Sequence, residues 1–185
     1  MYQKNIVISD LRSERLYREA EDELFYFDNI ESAEEKIELA LSYFPYFIKA
    51  RVMNANIKIL KGEYEKAIDI YLAAEKIAPA NVNVLAGLAN LYEITDNLLL
   101  ANKYVNKSLS CGFINAELRK NLIELKISIL IRMKKYKEAK SLIDSAKYEL
   151  NSEELKELQA KNLSVIKNKL QLHKKLNKLN LKLVK

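Results

Sequence analysis

The sequence predicts an all-α protein: a right-handed α-solenoid of about four helix–turn–helix hairpins, closed by a long C-terminal helix. Three observations predict this. First, one pattern recurs at a single fixed interval. Ala33, Ala67 and Ala101 keep that interval, as do Pro45, Pro79 and Phe113, then Ile37, Tyr71 and Val105, then Ala40, Ala74 and Ser108. A unit of this size, about 34 residues, cannot bury its apolar face alone and must stack on the next. Second, the 185 residues include only 3 Gly and 2 Pro, too few breakers for a turn-rich β fold. Third, apolar residues return at steps of three and four, which is one face of a helix.

Taken in order, residues 1–9 read as a short, loosely held lead. Ser9 and Asp10 are good N-cap types, and the first helix is expected from there to Phe27. Its inner face is Leu11, Leu16, Tyr17, Ala20, Leu24 and Phe27. Asp28-Asn29 turns the chain. Ile30, Ala33, Ile37, Ala40 and Leu41 line a second helix, which stops before Pro45 because proline lacks the donor to continue it. Residues 46–61 form the next helix, and Gly62 punctuates. Ala67, Ile68, Ile70, Tyr71 and Ala74 line its partner, which ends before Pro79.

The third pair opens at Asn81, with Leu85, Leu88, Ala89 and Tyr92 facing inward. Thr95-Asp96-Asn97 turns the chain. Leu98, Ala101, Val105, Ser108 and Leu109 complete the pair, and Cys111-Gly112 closes it with Gly at the helix C-terminus. Asn115 caps a longer helix running to about Lys135. Tyr136, Ala139, Ile143 and Ala146 follow. Ala139 comes four positions late against the interval that joins Ala67 to Ala101, so extra chain has been added before or within that helix. Asn151 and Glu154 have capping-box spacing and open a final helix reaching toward Leu183. The expected organisation is a lead over 1–13, repeats over 14–149 and a C-terminal helix with a basic tail over 150–185.

Composition narrows the class. Apolar residues make up 49%, enough for a packed core. The formal charge of +6 is an uneven average. Residues 158–185 hold eight lysines and no Asp or Glu, whereas the rest of the chain carries a charge of −2. Any attraction to anionic partners therefore belongs to the tail. Cys111 is the only cysteine, which suits a reducing compartment. No apolar run approaches the roughly 20 residues of a membrane span. A cytoplasmic location is expected.

In this arrangement the chain resembles the tetratricopeptide repeat family. The third unit carries the resemblance most fully, with Leu85, Leu88, Ala89, Tyr92, Ala101, Val105, Ser108 and Leu109 at the family's alternating large and small positions. The first unit follows with Tyr17, Ala20, Leu24, Ala33, Ile37, Ala40, Leu41 and Pro45. The second matches at Gly62, Tyr64, Ala67, Tyr71, Ala74 and Pro79. Strict counting places polar Arg51, Asn54 and Lys58 inward in its first helix. Ala50, Met53, Ile57 and Leu60 are expected to face in instead, with an extra residue absorbed at the turn.

The resemblance implies that the first helix of each pair lines a concave groove. Its ninth position holds Asp22, Asn56 and Asn90 in the three units. The asparagine amide offers both a donor and an acceptor to a peptide backbone. Arg18, Lys49, Val52, Met53, Asn83, Ala86 and Glu93 are the neighbouring groove candidates. The carboxylate clamp by which some members hold chaperone C-termini is not matched. Asp22 stands where that clamp has Asn, and Asn83 and Gly87 stand where it has basic residues.

The expected function is an interaction scaffold that holds another protein or a peptide in the groove. It is not expected to be an enzyme or to use a cofactor. His173 stands alone in the lysine-rich tail, Cys111 reads as a packed small residue, and no His or Cys pair has metal-ligand spacing. Glu31, Glu34, Glu35 and Glu38 read as a solvent face. The alternative reading makes the tail the working part. Lys167, Lys169, Lys174, Lys175, Lys178 and Lys182 would tether the repeats to an anionic membrane surface or RNA. Leu155, Leu158, Leu163, Ile166 and Leu170 form a stripe suited to capping the last repeat. Leu172, Leu176, Leu179 and Leu183 form a second stripe, which leaves room for self-association through the C-terminal helix.

Overall fold

In the structure, a computed structural model, the backbone is described for residues 2–112, 114–148 and 150–183. Side chains are described for residues 11–112, 114–147 and 150–171. The helices are α1 (Tyr2–Phe25), α2 (Ile30–Tyr43), α3 (Ile48–Leu60), α4 (Tyr64–Ile77), α5 (Val82–Ile94), α6 (Leu98–Leu109), α7 (Ala116–Arg132), α8 (Tyr136–Ser145) and α9 (Ser152–Leu183). A single 3₁₀ turn, Ala146–Tyr148, follows α8. No strand occurs among the described residues.

The repeat interval governs the backbone itself. Helices α2 and α4 keep it at both ends, beginning at Ile30 and Tyr64 and finishing at Tyr43 and Ile77. Helices α3 and α5 do the same with Ile48 and Val82, then Leu60 and Ile94. The N-cap residues Phe47, Asn81 and Asn115 follow the same step. So do the turns inside the first three hairpins. Asp28, Gly62 and Asp96 all have positive φ (49°, 74° and 59°), and Lys134, four positions late, repeats the device at 60°. The added chain lies wholly within α7, which has 17 residues where α5 has 13. That is about one extra helical turn.

The chain divides into two compact units, Met1–Thr95 and Asp96–Lys185. In the first, α1 pairs with α2 and α3 with α4, while α5 packs on α4 and α3. Ala20, Ala33, Ile37, Phe47, Ala50, Met53 and Ile57 form one core cluster there. In the second, α6 packs on α7, α7 pairs with α8, and α9 covers α8 and α7. Its core joins Ile123, Ile127, Leu130, Ala139 and Ile143 to Leu158 and Ile166 of α9, with Leu155, Leu163 and Leu170 packed against it. The capping stripe is therefore used as expected up to Leu170. The Asn151 capping box forms as well. Its Oδ1 accepts from the Glu154 amide at 3.0 Å, and its own amide donates to Glu154 Oε2 at 3.1 Å.

The periodic alanines Ala33, Ala67, Ala101 and Ala139 are completely buried, as close helix approach demands. Several expectations are corrected. Helix α1 starts at Tyr2, upstream of Ser9 and Asp10, because no Gly or Pro among residues 1–9 interrupts it. It ends at Phe25, so Phe27 falls in the turn and is 70% exposed, and Leu11 is 66% exposed. Gly112 does not supply a left-handed cap. Among the described glycines, positive φ occurs only at Gly62, and α6 is closed by Ser110.

Helix α3 carries the most instructive correction. No extra residue is absorbed at its turn, since its ends match those of α5. Ala50, Met53 and Ile57 are buried as expected, but Ala55 is too, and Leu60 is 62% exposed. An interior first helix packs on both sides, so two adjoining stripes are buried at once. The polar residues at its strict repeat positions are accommodated rather than excluded. Arg51 Nε donates to the Pro45 carbonyl at 2.7 Å. Lys58 pairs with Glu34, and Lys61 joins the same carboxylate at 2.5 Å. Glu34 is thus not part of a solvent face, because its side chain is only 13% exposed.

Candidate functional site

The first helices of the first unit enclose an open cavity of about 530 Å³. From α1 it takes Tyr17, Glu21, Leu24 and Phe25, whose steps of four, three and one set them on one helix face. From α3 it takes Ile48, Lys49, Val52, Met53, Asn56 and Leu60. Asn81 and Asn83 close it at the start of α5, and Asp28 and Ile30 close it at the first turn. The local sequence explains this placement. The Tyr17 and Phe47 rings meet at 5.4 Å between centroids, seating α1 against the N-cap of α3. The Glu34 carboxylate with Lys58 and Lys61 ties the start of α2 to the end of α3.

The cavity has an apolar floor of Leu24, Val52 and Met53 and a mixed rim. Glu21, Asp28 and Lys49 are its charged groups. Burial pushes the Tyr17 phenol well above its ordinary range, and its hydrogen bond to Glu21 adds to that. Tyr17 therefore serves as a neutral donor. The Tyr71 hydroxyl donates to Asn56 Oδ1 at 2.6 Å. With that oxygen engaged, Asn56 keeps its amide hydrogens as donors toward a ligand. Such a site can hold an extended or helical segment by apolar contact and backbone hydrogen bonds.

Of the sequence-derived candidates, the cavity brings together Lys49, Val52, Met53, Asn56 and Asn83. Arg18, Asp22, Ala86, Asn90 and Glu93 lie outside its lining. On α1 the groove face is Tyr17, Glu21 and Leu24, one residue behind Arg18 and Asp22, a rotation of about 100°. Arg18 instead approaches Glu14 at 3.8 Å, and Asp22 is exposed. The cavity reaches only the first turn of α5, so Asn90, two turns on, is exposed beyond it. Glu21, Phe25 and Leu60 were missed as groove residues. Phe25 and Leu60 carried a signal, since each is a large apolar residue at a helix end.

Elsewhere, the Cys111 thiol rests on the Lys107 carbonyl at 3.5 Å. Among the described residues no group of three His, Cys, Asp or Glu is placed to hold a metal ion. Lys167 and Lys169 are exposed on α9. The side chains of Lys174, Lys175, Lys178 and Lys182, of His173, and of the second leucine stripe lie outside the described residues.

Hairpins at a constant interval, left-handed turn residues in register and a cavity lined by first helices define a helical-repeat protein with a tetratricopeptide-repeat-like fold. Comparison with solved structures agrees. A thermophilic tetratricopeptide repeat protein of Thermus thermophilus superposes with a TM-score of 0.68 at 15% identity, over 82% of this chain and 81% of that one. PilF of Pseudomonas aeruginosa gives 0.70 at 18% identity, over 89% and 76%. YrrB, described as a tetratricopeptide repeat protein with an unusual peptide-binding site, gives 0.59 at 16% identity, over 86% and 90%. No family model matches the sequence, and no curated protein sequence does.

Proposed function

We propose that the protein is an interaction scaffold that holds a peptide or protein segment in the cavity formed by α1, α3 and α5. The supporting observation is the cavity itself, about 530 Å³ with an apolar floor and the amides of Asn56 and Asn83 at its edges. Its volume falls within the range of ordinary ligand sites. Exposed Phe25 and Leu60 line it as well, and large apolar residues left uncovered in a concavity suit partner contact. The peptide-binding site described for YrrB belongs to a protein of similar fold and lends the reading general support.

The experiment is selection of displayed random peptides on the wild-type protein, followed by amide chemical-shift mapping. Selected peptides should shift the resonances of Val52, Met53 and Asn83. Val52→Arg, which places a charge on the floor, should abolish their binding without unfolding the chain. Peptides that map to another surface, or bind Val52→Arg as well as wild type, overturn the proposal.

A further inference from the structure

One turn of the second unit gathers three lysines around a cleft. The turn between α7 and α8 passes through Lys134 at φ 60°. It arranges Lys134, Lys135 and Lys137 around a cleft of about 260 Å³ whose lining includes Tyr136 and Leu170 of α9. Lys135 is answered by Glu138 at 3.1 Å. Lys134, Lys137, Lys167 and Lys169 are exposed and have no ion pair among the described residues. The acidic residues of α9 are Glu153, Glu154 and Glu157, all in its first two turns, and Glu157 pairs with Lys120 at 3.2 Å. From residue 158 onward there are eight lysines and no acid. The cleft therefore lies where the paired, docked part of α9 gives way to its basic part.

The backbone of α9 stays helical to Leu183. Over this stretch the sequence places leucines at 172, 176, 179, 181 and 183, and all but Leu181 follow one another at steps of four, three and four. That spacing puts the four positions in one stripe of a helix, with Lys174, Lys175, Lys178 and Lys182 at positions off the stripe. We propose that the α7–α8 turn and the basic part of α9 together bind the surface of an anionic lipid membrane, with only the stretch of α9 beyond Leu170 lying in the interface.

Three occupants would answer the lysines or the leucines, and only one answers both. A nucleic-acid backbone uses the lysines alone. A second copy of the helix buries the leucines but brings like charges together. An anionic interface takes the apolar stripe into the acyl boundary and the lysines against the headgroups. No helix among the described residues is long and apolar enough to cross a membrane, so that stretch is placed in the plane.

The test is flotation of the full chain with phosphatidylcholine vesicles and with vesicles that also contain phosphatidylserine. Flotation is expected only with the anionic vesicles, and it should weaken as salt is raised. Lys174→Glu with Lys178→Glu, and Lys134→Glu with Lys137→Glu, should each reduce partitioning by roughly tenfold or more. Leu176→Gln with Leu179→Gln should reduce it too, while far-UV circular dichroism and the thermal midpoint show the repeats intact. Equal binding to neutral vesicles, or unchanged flotation of the leucine variant, overturns the proposal. So does binding of polyuridylate without vesicle binding, or a dimer lost in the leucine variant without vesicle binding. Unchanged flotation of the Lys134 and Lys137 variant removes the turn from the surface.

Discussion

The Tyr71 hydroxyl donates to Asn56 Oδ1 at 2.6 Å, linking the core of the second hairpin to the edge of the groove. Tyr71 is only 1% exposed, whereas Asn56 faces the cavity. One bond thus fixes which end of the Asn56 amide a ligand meets. Tyr71→Phe keeps the ring and removes the bond. It should cost about 0.5–1.5 kcal/mol in urea unfolding and leave the Asn56 side-chain amide resonances of the free protein broadened or shifted.

The same tyrosine explains a glycine inside a helix. A Cβ on Gly87 would lie 2.2 Å from Tyr71 Cζ. Replacing a helix-interior Gly by Ala normally gains about 1 kcal/mol, but overpacking of this kind costs about 1–3 kcal/mol. Here the clash is with a ring held on all sides, so the cost wins, and Gly87→Ala should lower stability. With Tyr71→Ala already present, the same change should become neutral or stabilising. A double-mutant cycle measures that reversal.

Much of this architecture was readable in the sequence, because the repeat period is imposed by close packing. Only small residues fit at Ala33, Ala67 and Ala101, and their spacing passes directly into the helix boundaries. The groove was less legible, because its face depends on the rotation of α1 against α3. A shift of one residue exchanges Arg18 and Asp22 for Tyr17 and Glu21. Helix α3 misled for another reason. Its inward polar residues suggested a slipped register, yet Lys58 is matched by Glu34 from a different helix, 24 residues away. Such pairs across helices leave no local periodic signal.

That pair gives a pH prediction. Burial alone would raise the Glu34 carboxyl, but hydrogen bonds from Lys58 and Lys61 outweigh it and hold the group below its ordinary value of 4.5. A carboxylate with a lowered folded pKa contributes stability above the unfolded value and loses it as pH falls through the folded one. Wild type should therefore lose stability as pH drops below 4.5, and Glu34→Gln should flatten that loss. At neutral pH the substitution should cost roughly 1–3 kcal/mol, between exposed and fully buried pairs. Urea titrations at a series of pH values would show it.

Tyr71 behaves in the opposite sense at alkaline pH. Burial raises its phenol above the ordinary 10.0. As pH rises past 10.0 the unfolded chain gives up a proton that the folded chain retains, so folding loses free energy. Ultraviolet titration should show a group of buried tyrosines, Tyr17 and Tyr71 among them, ionising only as the helical signal collapses. In Tyr71→Phe that late, unfolding-linked step should shrink.

The left-handed turn residues allow a stabilising prediction. Asp28, Gly62, Asp96 and Lys134 occupy one conformation in successive hairpins, and only one of them is glycine. A side chain in this region costs roughly 1–2 kcal/mol. Aspartate recovers some of that by local hydrogen bonding, and lysine has no such means. Lys134→Gly removes the strain while adding freedom to the unfolded chain, an opposing effect of about 0.4–1 kcal/mol. The strain term is the larger, so the substitution should raise stability by a few tenths to about 1 kcal/mol. Gly62→Ala should do the reverse. Space is not the reason, because a Cβ there meets nothing within 4 Å. Its whole cost, about 1 kcal/mol, comes from the backbone at φ 74°. Measuring both variants by urea unfolding separates conformational strain from packing, and equal, near-zero effects would show that these turns relax freely.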